Sequence, residues 1–226
     1  MRRTLLAVAA VSWLSSCTAP APQPAPGPAD LPAAFYEQAL KDGKPVYRVD
    51  PQQSLVVAEV RRAGTLSRLG HDHIVSARNV EGYVAPQAGR ADLRVALDGL
   101  ALDEPELRQA AGFDTQPSEA DIAGTRANML DRVLETAKFP YALIRIDRPA
   151  SSEALDVTMT LHGMTRVLHV PASVRIDDAQ LDIAGRLELN QTDFGITPFS
   201  ILGGAIAVQD RLGLSFRIRA RRQPEH

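Results

Sequence analysis

Strict alternation of apolar and polar residues is the feature that most narrows the folds open to this chain. Leu155, Val157, Met159 and Leu161 alternate with Asp156, Thr158, Thr160 and His162, which is the two-residue period of a strand with one buried face. Leu181, Ile183, Gly185, Leu187 and Leu189 alternate with Asp182, Arg186, Glu188 and Asn190, and Leu212, Leu214, Phe216 and Ile218 with Gly213, Ser215, Arg217 and Arg219. Further strands are expected at 54–62, 92–97, 141–147 and 168–176, with turn residues at Asp177-Asp178 and Gly163. One segment departs from the period. Ser118 to Ala137 places Ile122, Met129, Leu130, Val133 and Leu134 near helical spacing, Ser118 can cap it with Asp121 three residues on, and Pro140 bars its continuation. A short helix is also expected over 31–40, opened by Asp30 and Pro32 and stopped at Asp42-Gly43. Many one-face-buried antiparallel strands with a single crossover α-helix make an all-β sandwich or a closed barrel, and the pattern alone does not separate the two. A closed barrel of about eight strands removes exposed edges and is just wide enough for a small ligand or a chain.

The N-terminus obeys different rules. Met1-Arg2-Arg3 supplies positive charge and Leu5 to Leu14 a short apolar run, which together read as an export signal too short to span a bilayer. Leu14-Ser15-Ser16-Cys17 resembles the bacterial lipobox, in which the signal is cut before a cysteine that becomes lipid-modified, and Cys17 is the single cysteine of the chain. No internal disulfide can therefore form. From Thr18 to Pro32 the sequence is mostly alanine and proline, which cannot bury a core and reads as an extended spacer. The expected organisation is a signal over 1–16, the lipidated Cys17 with spacer and short helix over 17–45, and one barrel domain over 46–222.

Charge excludes one class of partner. The 25 lysines and arginines nearly balance 27 aspartates and glutamates, a net of -2, so nothing favours nucleic acid. The one basic cluster, Arg217, Arg219, Arg221 and Arg222, has its first three members on one strand face and reads as a solvated outer surface.

The short stretch Leu69-Gly70-His71-Asp72-His73 carries the candidate chemistry. On a strand, His71 and His73 project to one side and Asp72 to the other. Two imidazoles can share a metal, but zinc needs further ligands, which His162, His169 or a carboxylate would have to supply. Histidine can also exchange protons near neutrality, yet the chain has no Gly-x-Ser-x-Gly elbow and no cysteine available for catalysis, so no reaction is indicated and the chain is not read as an enzyme. The remaining roles for the pair are a solvated rim or contact with the polar head of a ligand.

Three ordered stretches, Val133 to Ile146 (VLETAKFPYALIRI), Met159 to Pro171 (MTLHGMTRVLHVP) and Leu187 to Ile196 (LELNQTDFGI), resemble the YceI-like family of bacterial periplasmic proteins, the likeness covering roughly Val46 to Ala220. The resemblance implies an elongated, lipocalin-like, closed antiparallel barrel of eight strands with a helix beside it. It also implies an apolar lumen that binds a polyisoprenoid such as an isoprenoid quinone. With aromatic residues only 5% of the chain, that lumen is expected to be lined by leucine, isoleucine and valine. Within these stretches Gly163 reads as a tight turn with Thr165 bonding the local backbone, and Asp193-Phe194-Gly195 as a bend in which the aspartate satisfies backbone donors. Phe139 and Phe194 are packing residues on this reading, with ligand contact as their alternative role. The resemblance further implies a lipoprotein at the periplasmic face, and Thr18 after Cys17 favours the outer membrane. The competing readings are a metal-binding protein or metal-dependent enzyme built on His71 and His73, and an envelope interaction module whose barrel holds no ligand.

Overall fold

The structure, a computed structural model, describes residues 31–147 and 154–224; the signal, Cys17 and most of the spacer lie outside the described residues. In chain order the elements are helix α1 (Ala33–Lys41), β1 (Tyr47–Val49), β2 (Leu55–Val60), β3 (Arg62–Ala63), β4 (His73–Ala77), β5 (Val80–Ala85), β6 (Arg90–Ala96), β7 (Ala101–Leu102), α2 (Pro105–Ala110), α3 (Glu119–Asn128), β8 (Tyr141–Asp147), β9 (Ala154–Leu161), β10 (Met164–Ile176), β11 (Gln180–Asn190), β12 (Ser200–Ile201), β13 (Ile206–Val208) and β14 (Arg211–Arg222).

The pairings resolve these into a closed barrel. Both β1 and β2 pair antiparallel with β14, through Val49↔Ala220 and Gly213↔Glu59, so together they act as one strand interrupted by the turn at Pro51–Gln53. The same holds for β4 with β5, which face β2 and β1, and for β6 with β7, which face β5 and β4. From there β6, β8, β9, β10, β11 and β14 follow in ladder order, and β14 returns to β1 and β2. The result is an eight-stranded up-and-down antiparallel barrel with no open edge along its seam. A separate small sheet, β12-β13-β3, stands at one end.

The expected strands at 141–147, 155–161, 181–190 and 212–219 are present, and the strand expected at 168–176 begins earlier, at Met164. The capping box is also present: Ser118 Oγ accepts from the Asp121 amide while Asp121 accepts from the Ser118 amide. The helix differs at its end, passing at Met129–Val133 into a single π-helical turn and stopping short of Ala137. Gly163 has φ +74 and forms the β9–β10 turn with His162 at φ +51, and Phe139 packs over it so closely that a Cβ would sit 2.7 Å from Cε1. Thr165 pairs across this hairpin with Thr160, Oγ1 to Oγ1 at 2.8 Å, and not with local backbone. In the 191–195 bend the backbone donor at Thr192 is met by Asp210, at 2.9 Å, whereas Asp193 accepts from the Asn190 side chain. Of the basic cluster, Arg219 pairs with Asp182 and Arg221 with Asp50.

Side chains plug one end. Tyr47, Val49, Val84, Ala91, Leu181 and Ala220 are buried there in the main core. Helix α1 covers the outside of this end: Tyr36 is 2% exposed, stacks on Tyr83 and donates through its hydroxyl to Asp92 Oδ2 at 2.7 Å. Burial and that carboxylate push the Tyr36 phenol far above its ordinary value, so it remains a donor.

Gly82 tests the barrel wall. At φ +148, a Cβ would fall 2.2 Å from the Asp92 carbonyl oxygen, which is backbone and cannot rotate aside. Gly82→Ala is expected to lower the unfolding free energy by at least about 2 kcal/mol in a urea titration.

Candidate functional site

The inward-facing half of each alternating strand is apolar, and above the plugged end these residues line a cavity of about 640 Å³. Its wall is mostly leucine, isoleucine and valine, with Phe199 and Phe216 the phenylalanines among the lining. The polar lining residues are Arg62, His71, His73, Asp121, Thr125, Asn128 and Gln191. All belong to the end at which β4 begins and β2 and β11 finish, or to α3, so the lumen is apolar along its length and polar at its mouth.

Helix α3 lies at this mouth. The residues it turns to the cavity are Ala120, Asp121, Gly124, Thr125 and Asn128, followed by Met129 and Val133 of the π turn and Leu134 just after it. These recur at helical spacing on one side, and the first turns are small, which allows the helix to sit at the opening without filling it. Arg126 fastens the helix by donating to the Asp98 carbonyl at 2.6 Å.

His71 and His73 both face the cavity, as their spacing predicts, and their ring centroids are 6.1 Å apart. Asp72 turns the other way and accepts from the Arg62 amide at 2.8 Å. His73 is 8% exposed, and its Nδ1 lies 2.6 Å from Oδ2 of Asp103. The other oxygen of Asp103 accepts from the Ile74 amide at 3.0 Å and from Arg108 Nη1 at 2.6 Å, while Arg108 also donates to the Asp72 and Thr115 carbonyls. Burial alone would raise the Asp103 pKa, but the hydrogen bonds from His73, Ile74 and Arg108 outweigh it and leave the carboxyl below its ordinary value. An ionised carboxylate can only accept, so Nδ1 of His73 carries a proton, and in the neutral imidazole it is Nε2 that presents a lone pair. His71 is held more loosely: Nε2 is 4.0 Å from Asp121 Oδ2, and Nδ1 is buried without a hydrogen-bond partner among the described residues. Asp121 is itself pinned by Ser118, whose hydrogen bonds lower its pKa.

The other candidates fall elsewhere. Phe139 is outside the lining and stacks against His162, centroids 4.4 Å apart, at the β9–β10 turn. Phe194 is fully buried in a cluster with Leu189 and Ile196, packed with the lining residues Met159 and Leu212, and is not itself among the cavity lining. Both pack against protein side chains. His162 pairs with Glu135 and His169 with Asp156, so neither joins the His71–His73 pair, and among the described residues no group of three or more His, Cys, Asp or Glu side chains converges to hold a metal.

Asp103 and Arg108, which orient His73, were not singled out by sequence reasoning. Asp103 lies 30 residues from His73 and reaches it through a left-handed backbone, φ +58, that carries no motif. A signal did exist for the helix face in the spacing of Ala120, Gly124 and Asn128.

A family model described as YceI-like domain matches residues 47–220. Among solved structures, a polyisoprenoid binding domain from Saccharophagus degradans is 14% identical, with a TM-score of 0.55 over 77% of this chain and 97% of that one. BcnA of Burkholderia cenocepacia is 17% identical, with a TM-score of 0.53 over 76% and 99%. At such identities these likenesses speak to the fold. No curated protein matches the chain.

The buried Asp103 charge makes a stability prediction. Its folded pKa is below the unfolded one, so its contribution is complete above the unfolded carboxylate value of about 3.9 and is lost as the pH falls through the folded value. Asp103→Asn leaves Arg108 without its counter-charge and should cost about 3 kcal/mol at pH 7. Denaturant titrations across pH should show the gap between wild type and variant narrowing below about pH 4.

Proposed function

The chain belongs to the YceI-like domain family, and we propose that it is an exported lipoprotein whose barrel binds and sequesters a long apolar lipid, a polyisoprenoid or isoprenoid quinone, at the periplasmic face of the cell envelope. The single observation that carries this reading is the lumen of about 640 Å³, apolar along its wall and polar at one end. That volume lies within the range in which pockets bury most of a small ligand. Each methylene taken from water contributes about 0.8 kcal/mol, so a few isoprene units offset the cost of ordering the chain. The relative from Saccharophagus degradans is described as a polyisoprenoid binding domain, which supports the same class of ligand here. Affinity would come from the tail and choice of head from the mouth. Cys17 would carry the lipid anchor, Thr18 would direct it to the outer membrane, and the Ala/Pro spacer would let the barrel reach into the periplasm. The role is binding without chemistry.

Narrowing the lumen tests the reading. Ala142, on β8, lines the cavity, and Ala142→Phe should weaken binding of geranylgeraniol at least about tenfold while leaving the melting temperature within a few degrees. Unchanged affinity would remove the lumen as the binding site. The anchor has its own test: mass spectrometry of the mature N-terminal peptide should find lipid on Cys17, and Cys17→Ser should abolish both the modification and membrane association.

A further inference from the structure

The lumen's mouth restricts the hydrogen-bonding character of whatever head group occupies it. Three observations meet there. Nε2 of His73 has no hydrogen-bond partner among the described residues, and its ring lines the cavity. The proton on Nδ1 is held by a carboxylate that is itself fixed by Arg108 and the Ile74 amide, so the tautomer is imposed from behind. His71 adds a buried Nδ1 with no partner among the described residues, and the carboxylate nearest its other nitrogen, Asp121, favours the proton on that far side. As neutral rings both imidazoles therefore offer acceptors, and a buried acceptor left unmet costs binding free energy.

We propose, resting on the lipid-carrier reading above, that the barrel selects a lipid whose head group is a hydrogen-bond donor, a hydroxyl such as that of a prenol or a hydroquinone, received by Nε2 of His73. A head group with acceptors only, such as a quinone carbonyl or an ether, would face a lone pair and be disfavoured. Asp103 is a positioning residue in this scheme: it never touches the lipid and acts by fixing the His73 tautomer.

That role makes a tautomer test available. In Asp103→Asn, the amide oxygen replaces Oδ1, which accepts from Ile74 and Arg108, so the NH2 falls opposite Nδ1 of His73 and donates to it. The imidazole proton is thereby moved to Nε2, and the mouth becomes a donor. The full chain in detergent micelles is offered an equimolar mixture of geranylgeraniol and its methyl ether, two probes of one tail. The ratio retained is read by mass spectrometry against protein-free micelles. Wild type should retain the alcohol about tenfold over the ether, Asp103→Asn should lose that preference, because a hydroxyl and an ether oxygen both accept from an Nε2 donor, and His73→Phe should show no preference. Equal retention by wild type, or a preference for the alcohol that survives His73→Phe, overturns the inference while leaving lipid binding intact. Retention of neither probe would instead overturn the lipid-carrier reading and this inference with it. Should Asp103→Asn fail to fold, the His73→Phe comparison decides alone.

Discussion

Closure between the first and last strands is the constraint on which the rest of the molecule depends. An antiparallel sheet with one apolar face must bury that face, and a sheet bent until β14 meets β1 and β2 buries it against itself. The seam is not uniform. The turn at Pro51–Gln53 breaks the first strand in two, and the 3-10 turn at Leu97–Gly99 breaks another between β6 and β7. Each break lets a strand bend without giving up its partner. Once the ring is closed, side-chain size decides what the interior becomes. Tyr47 and its neighbours fill one end, while the wall residues above them leave a lumen.

A lipid-sized lumen could be fully apolar, and the mouth is where this one departs from that. Burying Asp103 and Arg108 together costs desolvation that a hydrophobic pair would avoid, and such pairs are rarely the most stable choice. Here the pair is embedded in backbone hydrogen bonds and presents one imidazole to the cavity in one tautomer. The helix α3 completes the arrangement by placing small side chains and Asp121 across from the two histidines. Energy is thus spent on orientation at the only part of the described lumen where polarity occurs.

The sequence disclosed those parts of the fold whose physics is local. Strands β9, β11 and β14 have water on one side and lumen on the other, so their residues alternate. Strand β4 is buried on nearly every residue, with α2 packed against it, and the alternation that would mark it is lost, whereas β5 keeps Glu81 exposed between the buried Val80 and Gly82. The capping box at Ser118 was legible because four consecutive residues define it, whereas the π turn at Met129–Val133 answers to packing and carries no local code. At the site the same division holds. The shared direction of His71 and His73 follows from their spacing. Their partners do not: Asp103 comes from the loop after β7, Arg108 from α2 and Asp121 from α3, and only the closed barrel brings them together.

The central claim is that the lumen holds a lipid, and native mass spectrometry of the intact protein, exported to a bacterial envelope and purified gently, tests it most directly. The account predicts a population heavier than the polypeptide, whose added mass leaves on denaturation and is identified as an isoprenoid. The bare polypeptide mass alone, or an added mass matching a divalent metal that disappears in His71→Ala and His73→Ala, would contradict it.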